Sequence, residues 1–387
     1  MILASCQPGR TPNFRFIFDD CHINAIKKDA KITIKVLIVD DCPLMREMLV
    51  DLLSDEAGLK VVGIAKNGIE AIRLTKELRP DVISMDIRMP EMEGFEAIEV
   101  IMSENPVPIL VVTDFDSSKI AFLAISKGAL DIYPKKNIAE DSSGEYAAKL
   151  RMLSRVKVIR HLKSTPRLLT VPESAAAGQR PPALPAMESR KNGKYDIVAI
   201  ASSTGGPGAL VSVLSAFKKG CSVPVVVAQH IDDGFVFSFV EWLASSISLK
   251  VKAATDGENL QPGMVYIAPP GKNIRISATR RMMAVERIPG DIYHPSCNLL
   301  LSSVGEIYGD RSIGVILTGM GDDGAEGLGV IHRKEGLTIA QDEESSIIYG
   351  MPAVAAARGY ANRVLPLAEI GKAIFEALLV PGSEKRA

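Results

Sequence analysis

The chain has 387 residues, of which 47% are hydrophobic and 24% are charged, a composition typical of a globular protein long enough for two domains. Its formal net charge is −1 and its acidic and basic residues are intermixed along the chain, which gives no sign of the clustered basic surface needed to bind nucleic acid. No apolar run reaches the ~18 residues that span a bilayer. The five cysteines are scattered without a C-x-x-C pair and the first residues lack the apolar core of a secretory signal, so we expect reduced thiols in a cytoplasmic protein.

Apolar runs alternate with amphipathic stretches from residue 34 onward, a pattern that predicts parallel α/β architecture. The first domain is predicted over 34–138, with helices between five short strands: KVLIV, KVVGIA, DVISM, PILVV and LDIY. Residues 1–33 are predicted to be an N-terminal extension. A charged helix predicted over 146–162 and a later segment rich in Pro, Ala and charge make 139–193 a helix followed by an inter-domain linker.

A second α/β pattern begins at Tyr195 and defines a larger predicted domain over 194–383. Its predicted strands include YDIVAIA, VPVVVA, KVKAA, MVYIAP and SIGVILT. Two further strands within 273–287 are consistent with an antiparallel hairpin, which leaves a mixed second sheet open. The predicted fold class is therefore α/β, with a five-stranded doubly wound domain followed by a larger, mainly parallel one.

Acidic and polar residues follow the predicted strands of the first domain. Asp40 and Asp41 come after the first strand and Asp86 after the third, while Thr113 ends the fourth strand and Lys135 follows the fifth. The ends of parallel strands lie along one edge of the sheet, where ligands bind in doubly wound folds. Three carboxylates at one edge repel one another unless a hard cation such as Mg²⁺ neutralises them. Such a cation, a hydroxyl and an ammonium group would stabilise a phosphoryl group on one carboxylate.

The motifs VLIVDDCPLMREML, ISMDIRMPEMEGFEAI and VVT, with the lysine after GALDIYP, resemble the receiver domain of two-component response regulators. The resemblance covers residues 34–138 and implies that a histidine kinase phosphorylates Asp86. It implies four ligands for Mg²⁺: Asp40, Asp41, Asp86 and the backbone carbonyl of Arg88. It also implies that Thr113 and Lys135 hold the phosphoryl group and report its presence.

A glycine-rich turn, SSTGGPGAL, directly follows the first strand of the second domain. A strand, a tight turn and a helix in this order can raise a nucleophile above the sheet edge. A dinucleotide-binding loop is the competing interpretation, and it needs an acidic residue after the next strand. That strand is followed instead by Gln229 and His230, and Pro207 lacks an N–H donor for a phosphate. The pattern therefore favours a hydrolase, with Ser202 and Ser203 as candidate nucleophiles.

A serine nucleophile needs a base and a carboxylate that orients the base. Of the five histidines, His230 follows a buried strand at the same predicted sheet edge, and His294, in a loop, is its rival. Asp322 and Asp323 follow the strand SIGVILT and are candidates for the orienting acid, with Asp342 as an alternative.

Five motifs of the second domain, IVAIASSTGG, VVVAQHI, PGMVYIAPPGKN, VILTGMGDDGAEGL and TIAQDEESSIIYGMP, resemble the catalytic domain of the chemotaxis protein-glutamate methylesterases. The resemblance spans about 195 to 380 and makes this the hydrolytic domain. It implies that Ser203 is the nucleophile, His230 the base and Asp323 the orienting acid. It also implies an oxyanion hole formed by backbone N–H groups near Thr204 and Met320.

The combined resemblance implies a phosphorylation-activated serine hydrolase that demethylates glutamate methyl esters, and deamidates glutamines, on methyl-accepting chemoreceptors. The expected partners are those receptors and a chemotaxis histidine kinase. We expect a monomer with Mg²⁺ in the receiver domain, no cofactor for the esterase, no nucleic-acid partner and no membrane insertion. Two alternatives stay open at this point: a second domain that only binds a protein partner, and an esterase acting on proteins outside chemotaxis.

The chain departs from both family patterns at a few positions. In the receiver pattern, Ile132 stands where an aromatic residue is frequent and Lys136 where proline is usual. In the methylesterase pattern, Ile231 and Asp232 replace Met-Pro after the histidine, and Asn298 replaces an aspartate. We expect the latter three residues to line the substrate groove.

Overall fold

The computed structural model of the protein describes residues 33–114, 118–141, 144–158, 193–217, 221–287 and 293–379. The predicted extension up to residue 32 and the predicted linker up to residue 192 lie outside the described residues. Within the described ranges, no helix combines the length and the apolar character needed to cross a membrane.

The first domain is a five-stranded parallel sheet with the strand order β2-β1-β3-β4-β5 and helices between the strands. This order confirms the predicted doubly wound fold. Its elements are β1 Ile34–Val39, α1 Pro43–Ser54, β2 Leu59–Ala65, α2 Gly68–Leu78, β3 Val82–Met85, α3 Gly94–Glu104, β4 Ile109–Thr113, α4 Ser118–Ser126, β5 Asp131–Pro134, α5 Lys135–Glu140 and α6 Glu145–Leu153. Strands β3 and β4 are buried along their whole length because helices cover both faces of the sheet.

Helix α6 differs from its prediction in length and in position. The helix predicted over 146–162 begins at Glu145 and ends at Leu153. Its residues Tyr146 and Leu150 are fully buried in the core of the first domain, and the Tyr146 hydroxyl donates a hydrogen bond to Ser84 Oγ at 2.7 Å. The helix is thus not a free connector, and we propose that the first domain extends to Leu153 rather than ending at residue 138.

The second domain is built on a seven-stranded sheet with the order β14-β13-β12-β6-β7-β9-β8, in which every described pair is parallel. Its elements are β6 Ile197–Ser202, α7 Gly206–Leu214, β7 Val225–Gln229, α8 Val236–Ser246, β8 Lys250–Ala253, β9 Met264–Ile267, β10 Lys272–Ile276, β11 Met282–Glu286, α9 Cys297–Tyr308, β12 Ser312–Ile316, α10 Ala325–Arg333, β13 Leu337–Gln341, α11 Met351–Ala357, β14 Arg363–Leu365 and α12 Leu367–Leu379.

The predicted hairpin exists, but the suggestion that it makes the large sheet mixed is wrong. Strands β10 and β11 pair antiparallel as a separate two-stranded sheet. Their residues Ile274 and Met282 are buried in one apolar cluster with Leu300 of helix α9. The hairpin therefore covers this helix instead of joining the parallel strands.

The two domains meet through helices α4 and α8. The ring of Phe122 on α4 is fully buried, and its centroid lies 5.5 Å from that of Phe239 and 5.4 Å from that of Trp242 on α8. Burial of one such aromatic side chain stabilises a contact by about 1.5–3 kcal/mol. The contact brings the end of β5 in the first domain near the end of β7 in the second.

Candidate functional site

The acidic cluster of the first domain is produced by the strand register. Val39 of β1 pairs with Met85 of β3, so Asp40 and Asp86 leave neighbouring strands side by side. Both carboxylates are buried, whereas Asp41 is exposed. One carboxylate oxygen from each of the three residues lies within 4.8 Å of the others.

Lys135 neutralises part of this negative charge. Its Nζ lies 2.7 Å from Asp86 Oδ2 and 2.8 Å from Asp40 Oδ2, and it is nearly buried. Burial raises the pKa of Asp86 to about 6 and raises that of Asp40, although Lys135 opposes both shifts. Burial would lower the pKa of Lys135, but the two carboxylates hold it above its ordinary value. The pKa of each of these three groups therefore depends on the charge of the other two.

The structure also places the remaining predicted phosphate-site residues. Thr113 ends β4, pairs with Pro134 and is buried, but within the described part of the chain its side chain makes no hydrogen bond to the acidic residues. Arg88 is exposed and follows Asp86 by two positions.

A divalent cation fits the acidic cluster. Asp40 Oδ2 is buried and accepts no well-aligned hydrogen bond from any described residue, although the Lys135 ammonium is near it. Carboxylate oxygens are the ligands that Mg²⁺ prefers. A second positive charge would offset the burial that raises the pKa of Asp86 and would keep this carboxylate ionised.

In the second domain, the two candidate nucleophiles stand next to each other at the start of the glycine-rich turn but make different contacts. Ser202, the last residue of β6, is fully buried and donates a hydrogen bond to Gln229 Oε1 at 2.6 Å. Ser203 is the next residue, and its backbone N–H donates to Thr318 O at 3.0 Å. Because a Cβ on Gly206 would lie 1.9 Å from Gln229 Oε1, only glycine leaves room for the glutamine side chain.

Gln229 connects the serine turn to the histidine. Its Nε2 donates to Ser203 O at 2.9 Å and to His230 O at 2.8 Å. The backbone N–H of His230 also donates to Ser202 O at 2.9 Å. Sequence reasoning noted Gln229 only as the absence of an acidic residue. The signal that could have identified it is its place at a strand end beside two polar turns.

His230 pairs with the predicted acid. Its Nε2 lies 2.9 Å from Asp323 Oδ2, which also accepts a hydrogen bond from Cys297 N, and Asp323 Oδ1 accepts one from Asn298 N. Burial alone would raise the pKa of Asp323, but the hydrogen bonds from His230 and from the two backbone N–H groups outweigh it and lower this pKa. Asp323 therefore stays ionised and holds the imidazole through Nε2.

Ser203 and His230 line the same pocket, which has a volume of about 420 Å³. Its other walls include Tyr293, His294 and Met320. In the described residues, Ser203 Oγ makes no hydrogen bond to His230. Such bonds are often long in the absence of substrate and tighten when it binds.

The backbone around the pocket also supplies hydrogen-bond donors. Thr204 is buried and Met320 is 39% exposed. Neither backbone N–H donates a hydrogen bond to any group in the ranges that the structure describes. Both are thus available to an oxygen bound beside Ser203.

The rival residues and the family departures take other positions. Asp322 is exposed, and the Asp342 carboxylate accepts hydrogen bonds within its own turn, from Ser345 N and Oγ. Ile231 and Asp232 line the pocket as expected. The expectation for Asn298 is wrong, because its side chain accepts a hydrogen bond from Gly327 N at 2.9 Å and is not part of the pocket wall.

Comparisons with known proteins point to one family. A model of the CheB methylesterase family matches residues 198–374, and a model of the response regulator receiver domain matches residues 36–142. "Protein-glutamate methylesterase/protein-glutamine glutaminase 3" of Paramagnetospirillum magneticum is 43% identical over 346 residues, covering 89% of this chain and 96% of the relative.

Two further proteins are similar to this chain. "Protein-glutamate methylesterase/protein-glutamine glutaminase 2" of Anaeromyxobacter dehalogenans is 40% identical and covers 89% of this chain and 96% of its own length. Among solved structures, the Thermotoga maritima CheB methylesterase catalytic domain is 37% identical, with a TM-score of 0.46, and covers 47% of this chain and 98% of that one. This chain, with a receiver domain before a hydrolytic domain, belongs to the protein-glutamate methylesterase/protein-glutamine glutaminase family.

Proposed function

We propose that this protein removes methyl groups from glutamate methyl esters on methyl-accepting chemoreceptors, and deamidates glutamines there, in the cytoplasm. The observation that carries the proposal is that Ser203 and His230 line one pocket and that His230 is paired with Asp323, in a chain that also holds the acidic cluster of Asp40, Asp41 and Asp86. The names of the relatives state both activities. We assign 34–153 to the receiver and 194–383 to the hydrolase.

The first half of the reaction forms an acyl-enzyme. Because Nε2 of His230 faces Asp323, Nδ1 is the ring nitrogen that takes the proton from Ser203 Oγ. The serine oxygen then attacks the ester carbonyl carbon, and the N–H groups of Thr204 and Met320 stabilise the negative oxygen that develops. His230 returns the proton to the leaving group, which departs as methanol.

The second half releases the product. His230 accepts a proton from water as the water oxygen attacks the acyl carbon, and it then returns this proton to Ser203 Oγ as the bond between Oγ and the acyl carbon breaks. The receptor is left with a glutamate carboxylate. With a glutamine side chain the steps are the same, except that ammonia leaves in place of methanol.

Asp86 is the carboxylate that accepts a phosphoryl group from a histidine kinase. Four groups would hold Mg²⁺: the side chains of Asp40, Asp41 and Asp86 and the backbone carbonyl of Arg88. The bound cation supplies positive charge next to the phosphoryl oxygens. The Lys135 ammonium, already between the two buried carboxylates, and the Thr113 hydroxyl hold the phosphoryl group.

Control of the hydrolase by the receiver is supported by the composition of the pocket wall. Residues 131–134 and Asn137 of the receiver line the same pocket as Ser203 and His230. A receptor segment that approaches Ser203 therefore competes with the end of β5. Phosphorylation of Asp86 changes the partners of Lys135, the residue that follows this strand, and so favours an open arrangement.

The proposed function predicts activation that depends on Asp86. We expect acetyl phosphate with Mg²⁺ to raise methanol release from receptor-containing membranes by about tenfold, within the usual range of coupling between two sites. Asp86→Asn should remove this increase because an amide cannot be phosphorylated. Asp51→Asn, which changes an exposed carboxylate on α1, is the matched control and should be activated normally.

The same assay separates the alternatives. Absence of methanol release from every protein, with or without acetyl phosphate, would favour a second domain that only binds a partner. Hydrolysis of other protein methyl esters but not of receptor esters would favour an esterase outside chemotaxis. Equal rates with and without acetyl phosphate in the wild type would contradict phosphorylation control.

An ion pair links the two sites directly. Lys136 Nζ of the receiver lies 3.3 Å from Asp232 Oδ2 of the hydrolase. Lys136 follows the phosphate-sensing Lys135, and Asp232 follows His230 by two residues. Both are positions at which this chain departs from its family patterns, and here the two unusual residues contact each other.

Loss of this ion pair should favour the open arrangement. We expect Asp232→Asn to raise the rate without acetyl phosphate by up to about fivefold, because partly exposed ion pairs contribute at most ~1 kcal/mol. Asparagine can still accept the hydrogen bond from Gly234 N that Asp232 accepts now. The rate with acetyl phosphate should stay unchanged. Reversal of both charges, in Lys136→Asp with Asp232→Lys, should restore the low basal rate, and failure to do so would contradict a role for the pair.

A further inference from the structure

The catalytic imidazole is held by more than its hydrogen bond to Asp323. His230 leaves the end of β7, and its Nε2 is placed 2.9 Å from Asp323 Oδ2. One hydrogen bond restrains one ring atom, but the ring can still turn about its Cβ–Cγ bond with little displacement of Nε2, which lies close to that axis. That rotation moves Nδ1, the nitrogen that must face Ser203. A second contact has to fix the plane of the ring.

Tyr293 supplies a contact of the required kind. Its ring lies almost parallel to the imidazole of His230, with 8° between the planes and 5.2 Å between the centroids. This spacing is typical of offset-stacked aromatic rings. A flat ring against one face opposes rotation of the imidazole, since any tilt would drive one of its edges into the tyrosine.

The other end of Tyr293 reaches the loop that carries an oxyanion donor. A Cβ added to Gly321 would lie 2.2 Å from the Tyr293 hydroxyl oxygen, so the hydroxyl lies against the backbone of this glycine. Gly321 has a φ of +78° and follows Met320, whose N–H faces no acceptor among the described residues. One side chain thus contacts both the base and the loop of the proposed oxyanion hole.

Tyr293 stays neutral because of its burial and the acidic groups beside it. Burial raises the pKa of Tyr293, and the carboxylates of Asp322 and Asp323 raise it further. The Cys297 thiol, whose Sγ is 3.4 Å from His230 Nε2, is fully buried, and burial together with Asp323 raises its pKa well above the ordinary value. Neither group presents a negative charge to the imidazole.

We propose that Tyr293 is a positioning residue, which orients Nδ1 of His230 toward Ser203 by stacking on the imidazole and by resting on Gly321. The inference rests on the proposed role of His230 as the base. It differs from the simpler interpretation that Tyr293 is only a wall of the substrate pocket, because a wall acts on substrate binding whereas a positioning residue acts on chemistry.

The test compares Tyr293→Phe, which keeps the ring, with Tyr293→Leu, which removes it, in the full-length protein with acetyl phosphate and Mg²⁺. We expect the Phe variant to stay within about threefold of the wild type in kcat, as its ring still stacks. The Leu variant should lose about 10- to 100-fold in kcat, the effect of a misplaced catalytic group, with KM within about twofold.

A second readout does not depend on the receptor substrate. The rate of inactivation by phenylmethanesulfonyl fluoride reports how readily His230 activates Ser203, and it should fall in parallel with kcat in the Leu variant only. Thermal unfolding of each variant shows whether the fold is intact. Should Tyr293→Leu unfold, Tyr293→Met offers an unbranched apolar side chain for the same comparison.

The outcomes are distinct. A raised KM with unchanged kcat and unchanged inactivation would overturn the proposal and make Tyr293 a substrate contact. An unchanged Leu variant would overturn it as well, while leaving the proposed function intact. If instead Ser203→Ala retained activity, the proposed function itself would fail, irrespective of Tyr293.

Discussion

The Ser203→Ala variant is expected to release methanol from methylated receptors ~10⁴-fold more slowly than the wild type, or slower still. Alanine cannot form the acyl-enzyme, and the pocket then offers only binding and the oxyanion donors to an attacking water. Ser203 is nearly buried at the pocket wall, so its replacement by the smaller side chain leaves the rest of the site in place. The measurement is methanol release at saturating acetyl phosphate, with thermal unfolding as a check on the fold.

Ser202→Ala is the matched control for this loss. Ser202 is fully buried and donates to Gln229 Oε1, so its removal costs one hydrogen bond, about 1 kcal/mol, and slightly loosens Gln229. We expect its activity to stay within about tenfold of the wild type. The reverse result, with a large loss in Ser202→Ala and little in Ser203→Ala, would reassign the nucleophile.

Most of the fold could be predicted from the sequence because the central parallel strands are short apolar runs covered on both faces. Strands β13 and β14 are not among the predicted strands, and two other parts of the fold could not be placed in this way. Helix α6 carries charged residues beside its apolar ones, and only the packing of Tyr146 and Leu150 on the receiver core shows where it belongs. A period-two pattern predicts the strands β10 and β11, but the sheet that they join depends on contacts with α9.

The candidate site, too, could be predicted only in part from the sequence. Strand ends in a parallel sheet share an edge, so Asp40, Asp86 and His230 could be placed in their sites from the pattern alone. Spacing does not distinguish Ser202 from Ser203, since they are neighbours at the end of one strand. In the structure the Ser202 hydroxyl donates to Gln229, whereas Ser203 lines the pocket, and this difference supports the proposal of Ser203 as the nucleophile. Gln229 and Tyr293 were missed because their contacts join segments that are far apart in sequence.

The receiver and the hydrolase meet at corresponding places in their two sheets. Lys135 and Lys136 follow β5, and His230 and Asp232 follow β7, so each sheet presents its functional edge to the other domain. A change at the proposed phosphoacceptor therefore needs no long path to the proposed base. The contact between Lys136 and Asp232 joins segments that each hold a residue with a proposed catalytic or sensing role.

The Asp323→Asn variant is expected to show the second large loss, again about 10⁴-fold in kcat, with little change in KM. Asp323 Oδ2 accepts hydrogen bonds from His230 and from Cys297 N, and Oδ1 accepts one from Asn298 N. An asparagine has only one side-chain oxygen and cannot accept at both positions.

Each orientation of the new amide is unfavourable for a definite reason. With its NH₂ toward His230, the amide donates to Nε2, which places the ring proton on Nδ1, and Nδ1 can then no longer take a proton from Ser203. With its NH₂ toward Asn298 N–H, two donors face each other at the start of α9, which costs about 1–3 kcal/mol of stability. In the first orientation the NH₂ also faces the N–H of Cys297, so both orientations lower the melting temperature. Only the first orientation removes the base, so the large loss of activity corresponds to it, whereas the second leaves Nδ1 free and loses less activity.

The adjacent Asp322→Asn variant provides the control. Asp322 is exposed and lies one residue before the buried acid, so it changes the same formal charge without touching His230. We expect its methanol release to stay within about twofold of the wild type, the range of exposed charges outside a network. A large loss in Asp322→Asn with an active Asp323→Asn would exchange the roles of the two residues. Because the two variants have the same net charge, any difference between them measures the direct contact of Asp323 with the imidazole rather than the overall charge of the protein.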